Sequence, residues 1–298
     1  MRVAAIDLGS NSFLCLIAEK SNGKLKEIYD TIEFVKLGEG VHQNKAFSQN
    51  ALKRAEDAFK KFQALIQKYD VQKVDSVATS ASRDVTNKQE FFDLGKKYNI
   101  PINVISGESE GDYTYLGVLS SRPQAPNFSV LDIGGGSTEI AYHKNKKLSA
   151  KSFNVGCVRL TELFLKSEPE ADAEIAAFRN YLQEKMPSID HGGLEMVAVA
   201  GTPTTLASLH LQKPYDPKLI ENFELKKTFV QDLIKKFRAL SIAERKKLVG
   251  IDAPRADVIM AGALILEHVM NIAGLDAVTV STRGVRYGLA YKMLGCNQ

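Results

Sequence analysis

Two short stretches of the chain could do chemistry, and they are nearly the same stretch. "DLGSNS" (residues 7–12) and "DIGGGST" (residues 132–138) each run an aspartate off the end of an apolar segment into glycine and then hydroxyl side chains, 125 positions apart. A strand that turns through glycine leaves backbone N–H groups without ladder partners, and such a row forms a concavity suited to phosphate oxygens. Glycine matters because a Cβ would hold the phosphate away from the backbone. The hydroxyls of Ser10, Ser12, Ser137 and Thr138 add donors. Asp7 and Asp132 would repel a phosphate, so their natural partner is a hard cation such as Mg2+, bound directly or through water. One such turn is ordinary punctuation. Two at matching points of a repeated topology predict a single phosphate site, gripped by one turn from each half of the chain across the cleft between them. The other common phosphate spellings, GxxxxGK[ST] and a helix-opening GxGxxG, do not occur.

The elements around these turns repeat as well. Short β-rich segments at 3–8, 13–19 and 24–32 are followed by a helix over about 50–69, where Leu52, Ala55, Phe59, Phe62, Ile66 and Tyr69 recur at three- and four-residue spacing. Strand and helix then alternate: a strand at 74–79, a helix after Asn87 whose Glu90 completes a capping-box-like start, a strand at 102–105, and a helix entered near Glu108. "PQAPN" (123–127) places two prolines in five residues and marks a domain boundary. Strands near 128–133, 138–143 and 147–153 come next, then helices between about 160 and 186 and a strand at 196–200. An apolar helix at 256–270, a last strand "AVTVS" and a helix over about 284–294 complete the chain. The expectation is an α/β protein built from two duplicated βββαβαβα domains, 1–125 and 126–298, with the final segment (about 284–298) able to pack back on the first.

Composition narrows the classes. With 298 residues, 44% of them apolar, each half can bury a core of its own. The balance of 39 Lys+Arg against 35 Asp+Glu, net +4, is no nucleic-acid signature. No apolar run approaches the roughly 18–20 residues that span a bilayer, and the N-terminus lacks a secretory pattern. Cys15, Cys157 and Cys296 are odd in number and scattered, which reads as reduced thiols of a cytoplasmic protein. Four lysines in "HKNKKLSAK" (143–151) read as a hairpin beside the second turn that a polyanion could cross.

The segments "DLGSNSF", "ATSASRD", "ISGESEGDYTYLGV", "DIGGGSTE", "NVGCVRLTE", "GTPTT", "RADVIMAGALIL" and "STRGVRYGL" follow one another from residue 5 to about 289. In that order they resemble the exopolyphosphatase / guanosine pentaphosphate phosphohydrolase family, of the sugar kinase, Hsp70 and actin (ribonuclease H-like) superfamily fold. The resemblance implies that Asp132 and Glu139 hold a divalent cation and that Gly134, Gly135, Gly136, Ser137 and Thr138 cradle phosphate. Asp7, Gly9, Ser10, Asn11 and Ser12 would form the opposing loop. Arg83 would neutralise phosphoryl charge, and Gly201 and Thr202 would begin a further lip reaching to Thr205. The family's water-activating carboxylate is the second of a Glu-Glu pair after Ser-Gly. Here the stretch reads Ser106-Gly107-Glu108-Ser109-Glu110-Gly111, so Glu110 inherits the role while Glu108 stays an alternative. On a helix the two lie about 200° apart.

The function implied is hydrolysis of the terminal phosphoanhydride of inorganic polyphosphate, releasing orthophosphate, with Mg2+ or another divalent cation as cofactor. Alternatives are a pppGpp 5'-phosphohydrolase and a non-catalytic guanosine-tetraphosphate or polyphosphate sensor. An ATP-using small-molecule kinase or chaperone-like ATPase is a further class, opposed by the "SGESE" and "STRGVRYG" motifs. The partners expected are the polyphosphate or pppGpp substrate, with no DNA, RNA or membrane, and a homodimer as the one assembly left open.

Overall fold

β-rich segments bounded by turn residues in the first 33 residues give three antiparallel strands, β1 (Arg2–Leu8), β2 (Phe13–Ser21) and β3 (Lys24–Glu33). The computed structural model describes residues 1–83, 85–122, 127–144 and 147–296. It divides into one unit of residues 1–126 with 283–298, and a second of residues 127–282. Apart from Asn127, the expected boundary at 123–127 lies outside the described residues.

In the first unit the strands are followed by α1 (Val41–Asn44), α2 (Gln49–Lys68), β4 (Lys73–Ala78), α3 (Ser80–Arg83), α4 (Lys88–Lys97), β5 (Asn103–Val104) and α5 (Gly107–Leu119). The sheet order is β3-β2-β1-β4-β5, with β4 and β5 parallel to β1. Central placement explains why Val3 to Ile6 are fully buried rather than alternating. Helix α2 starts where the Ser48 hydroxyl accepts from Ala51 N at 3.1 Å. It buries Leu52, Ala55, Phe59 and Phe62 against the sheet. The capping box expected at Asn87 does not form. Its side chain instead bridges Phe47, accepting from the backbone N at 2.9 Å and donating to the backbone O at 3.0 Å. Strand β5 has two residues, Asn103 and Val104, where four were expected. In register Leu8 lies opposite Ala78, so the turns after β1 and β4 leave the sheet at one edge, the edge where parallel α/β sheets bind ligands.

The second unit holds β6 (Phe128–Ile133), β7 (Thr138–Lys144), β8 (Lys147–Phe153), α6 (Cys157–Phe164), α7 (Asp172–Lys185), β9 (Glu195–Val199) and α8 (Gly201–Leu211). It continues through α9 (Pro217–Ile220), β10 (Phe223–Lys226), α10 (Lys227–Arg238), α11 (Ile242–Arg245), α12 (Ile259–Ile272) and β11 (Ala277–Val280). Its order, β10-β11-β9-β6-β7-β8, adds one strand to the expected pattern. That strand is β10, antiparallel to β11, where Leu225 turns inward between exposed Glu224 and Lys226. Helix α12 is buried nearly all round, as its apolar density predicts. It begins at Ile259 rather than 256 because residues 253–255 form a 3-10 turn around Pro254. Asp132 lies opposite Val199, so the turns after β6 and β9 also share an edge.

The last helix, α13 (Val285–Met293), belongs to the first unit. Val285, Tyr287, Leu289 and Ala290 pack on Val3, Ala5, Leu16 and Val77. The three cysteines are free and buried. Among the described residues no helix is long and apolar enough to cross a membrane.

Candidate active site

The two turns are the same turn. Gly9 N donates to Ser12 O at 3.1 Å and Gly134 N to Ser137 O at 3.0 Å. A Cβ on Gly9 would meet Ser12 O at 3.0 Å, and one on Gly134 would meet Ser137 O at 3.1 Å. What differs is the residue facing each aspartate across its hairpin. Asp7 faces Leu14, whereas Asp132 faces Glu139.

Asp132 and Glu139 are 6% and 1% exposed. Carboxylates directly opposite on one face of a sheet repel each other. The Ser152 hydroxyl donates to Glu139 Oε1 at 2.6 Å, which orients one of them. A hard cation between them would offset that repulsion, so the donor chemistry fits a divalent ion. Among the described residues no three His, Cys, Asp or Glu side chains gather as a ligand set. Two carboxylates still suffice for Mg2+, which keeps several waters and takes the rest of its shell from phosphate.

The glycine loop is oriented from behind by α6. Cys157 N donates to Gly134 O at 3.0 Å, and Val158 N and Arg159 N donate to Gly135 O at 2.8 and 3.0 Å. Arg159 Nε donates to Gly136 O at 2.8 Å. With the carbonyls engaged on that side, the loop's N–H groups are turned the other way. Gly156 makes this approach feasible, since a Cβ there would fall 2.4 Å from the Gly136 carbonyl carbon. The Thr138 hydroxyl donates to Val155 O at 2.6 Å, so its proton braces the loop. Ser137 is buried at the same bend.

In the first unit the carbonyls of the other loop are likewise engaged, Ser10 O by Gly38 N at 2.7 Å and Asn11 O by Lys36 N at 2.8 Å. Ser10, Asn11 and Ser12 are buried. Among the described residues the Asn11 side-chain N and O have no hydrogen-bond partner, a costly state that suits a polar ligand. Helix α5 starts where the Ser106 hydroxyl accepts from Ser109 N at 3.2 Å. It turns Glu110 inward, 5% exposed, and leaves Glu108 outside. Arg83, at the end of α3, places Nη1 3.0 Å from Glu110 Oε2 and 3.2 Å from Ile105 O. Glu108's own backbone N–H, then the Ser106 hydroxyl, hold its carboxyl below the ordinary range.

Gly201 and Thr202 open α8 after Ala200, which has φ 73° and ψ −169°, a region nearly reserved for glycine. A Cβ on Gly201 would fall 1.5 Å from Arg255 Nη1, so the guanidinium occupies the space over the helix start. Burial lowers the Arg255 pKa, countered by Asp252, whose Oδ2 lies 3.8 Å from Nε. Ser152, Gly156 and the loop-bracing Arg159 were not among the expected site residues. Only "NVG", a small residue before a helix, hinted at the second. The lysine hairpin is corrected by topology: Lys144 and Lys147 pair at the far end of β7, ~20 Å along the strand from the glycine loop. Lys144 is engaged by Asp190 at 3.4 Å. Asn145 and Lys146 lie outside the described residues.

Two like α/β units, a glycine turn repeated at equivalent strand ends and a buried carboxylate pair beside one of them define a phosphate-handling protein of duplicated build. The sequence model of the Ppx/GppA phosphatase family matches residues 16–296. Exopolyphosphatase 2 of Mycobacterium tuberculosis is 31% identical over 99% of this chain and 99% of its own. The bifunctional 3-dehydroquinate synthase/phosphatase of Fusobacterium nucleatum is 35% identical over 93% of this chain, which spans 44% of that longer protein. A crystal structure of the Aquifex aeolicus Ppx/GppA family member superposes with a TM-score of 0.82 at 32% identity, covering 100% of this chain and 99% of the other. The chain belongs to the Ppx/GppA phosphatase family. Its units have the duplicated fold of the actin, Hsp70 and sugar-kinase superfamily, and a general dependence on a divalent cation accompanies that membership.

Proposed function

We propose that the chain hydrolyses the terminal phosphoanhydride of inorganic polyphosphate and releases orthophosphate. The observation that carries this reading is the buried Asp132–Glu139 pair beside a glycine loop whose carbonyls are already engaged from behind. Phosphoryl transfer needs alignment and charge stabilisation more than covalent chemistry. In this reading Glu110 accepts the proton of the attacking water, and Arg83 stabilises charge on the equatorial oxygens. Backbone N–H groups of Gly135, Gly136 and Ser137 hold the terminal phosphate in a loop that Gly134 closes, with Gly9 to Ser12 as a second phosphate-binding loop and Gly201 and Thr202 as a further lip. Asp132 and Glu139 would hold Mg2+, with Asp7 a carboxylate toward the same kind of ion. When bound, the cation would add positive charge to the phosphate oxygens.

A pppGpp substrate presents the same terminal phosphoanhydride, so the test compares the two. Orthophosphate release by purified protein with Mg2+ is measured on short polyphosphate, long polyphosphate and pppGpp. Faster release from polyphosphate supports the reading, and short chains are expected to be preferred. Release from pppGpp alone overturns the substrate. Tight binding of either without turnover overturns the enzyme and favours a sensor. No nucleic-acid partner is assigned, in line with the near-balanced charge.

A further inference from the structure

We propose that Gly117 and Gly288 are positioning residues: they set how closely α13 seats on α5, and so where α5 presents Glu110. The inference rests on the assignment of Glu110 as the base. The two helices meet backbone to backbone. A Cβ on Gly288 would lie 1.8 Å from Tyr113 O, and one on Gly117 would lie 2.3 Å from Gly284 O and 2.7 Å from Arg283 O. Glu110 and Gly117 are seven residues apart on one helix, which puts them within about 20° of the same face and ~10 Å apart along the axis. A displacement at the contact therefore passes along a rigid helix to the carboxylate.

The seat is fixed from the other side. Arg286 Nε and Nη2 donate to Asp30 Oδ1 and Oδ2 at 2.7 and 2.6 Å, a fork that ties α13 to β3. The Tyr287 hydroxyl donates to Glu27 Oε2 at 2.5 Å, and Lys20 Nζ donates to Gly295 O at 2.7 Å. Arg283 reaches across to the other end of α5, with Nη1 3.2 Å from the Ser120 hydroxyl. Helix α13 is thus pinned to the sheet and cannot yield easily when α5 is pushed. This gives the "STRGVRYGL" stretch a part in the reaction through its packing on α5 rather than through contact with substrate.

The test uses the full chain with polyphosphate and Mg2+, comparing Gly288→Ala and Gly117→Ala with Gly284→Ala, whose added Cβ meets nothing within 4 Å. The two contact variants are expected to lose about 100-fold in kcat, with KM within about threefold, as for a misplacement of about 1 Å. Gly284→Ala should keep wild-type kcat. Arg286→Lys, which keeps the charge but loses the fork, loosens the seat without overpacking and covers the case in which the glycine variants fail to fold. Its kcat should fall about three- to tenfold at constant KM, less than in Arg286→Ala. Unchanged kcat in folded Gly288→Ala and Arg286→Lys overturns the proposal, as does an equal effect on KM. Should Glu110→Gln keep full activity, the base assignment fails instead, a result independent of the glycine variants.

Discussion

Arg83 and Glu110, 27 residues apart in the chain, form an ion pair with Nη1 3.0 Å from Oε2. The arginine side chain is 20% exposed and the carboxylate side chain 7%, so one partner is open to a ligand while the other is sheltered. Glu110→Gln should therefore lower kcat by about 10²–10⁴-fold in a phosphate-release assay while the thermal transition stays in place. Glu108→Gln, altering an exposed group on the opposite helix face, should stay within a few-fold of wild type. A reversal of the two results would move the base to Glu108.

The facing carboxylates Asp132 and Glu139 lead to a prediction about the cation. Asp132→Asn and Glu139→Gln should each raise the Mg2+ concentration for half-maximal activity. Ser152→Ala, which removes the 2.6 Å hydrogen bond to Glu139, should raise it by about 10–100-fold, as expected for a group that orients a ligand. Mg2+ titrations of the three variants that coincide with wild type would remove these residues from the cation site.

Gly156→Ala forces a Cβ to within 2.4 Å of the Gly136 backbone. Overpacking of this kind costs about 1–3 kcal/mol, and here the yielding partner is the phosphate loop itself. The variant should show a lowered urea midpoint together with a raised KM for polyphosphate. A change in stability with KM untouched would mean that the loop keeps its shape without help from α6.

Burial pushes the Cys15 thiol up to about 12 and the Cys157 thiol up to about 11, well above the ordinary thiol range. Burial, with the Asp30 charge second, also raises the Tyr287 hydroxyl. In the unfolded chain these groups lose their protons first, so between about pH 9 and 11 the native state holds more protons and stability falls as pH rises. Urea midpoints should be flat with respect to these groups below pH 9 and decline above it, and Cys15→Ala with Cys157→Ala should shallow that decline. Both native thiols should also react slowly with disulfide reagents at pH 8.

Arg245 is 0% exposed and forks onto Glu170, with Nη1 2.7 Å from Oε1 and Nη2 on Oε2 and the Phe237 carbonyl. Arg245→Ala leaves a carboxylate buried without its cation, so a loss of about 3–5 kcal/mol is expected in urea unfolding. A loss under 1 kcal/mol would show that Glu170 reaches water.

Much of the architecture can be read from residue patterns because the central strands are bounded by turn residues and the long helices keep their period. β-rich runs between turn residues find β1, β2 and β3 within two residues at each end, and the α2 stripe from Leu52 to Phe62 finds that helix. Some four-residue elements escape: β10 is "FELK", with one inward residue, and α1 and α3 make barely one turn each, too short for a period to repeat. At the site, spacing separates Glu108 from Glu110 but does not say which faces inward; burial does. Arg286 and Asp30 lie 256 residues apart, and nothing local in either stretch announces the pair. Close backbone approach is equally silent, because Gly156, Gly288 and an ordinary turn glycine are spelled alike.

The amides at the start of α6, engaged by the loop carbonyls of Gly134 and Gly135, have a kinetic consequence. A loop whose peptide planes are already locked has no rearrangement left to perform when an anion arrives. The entropy of arranging those donors was surrendered when the chain folded, so encounter with a phosphate terminus should resemble docking into a finished mould, with an association rate set by diffusion and charge.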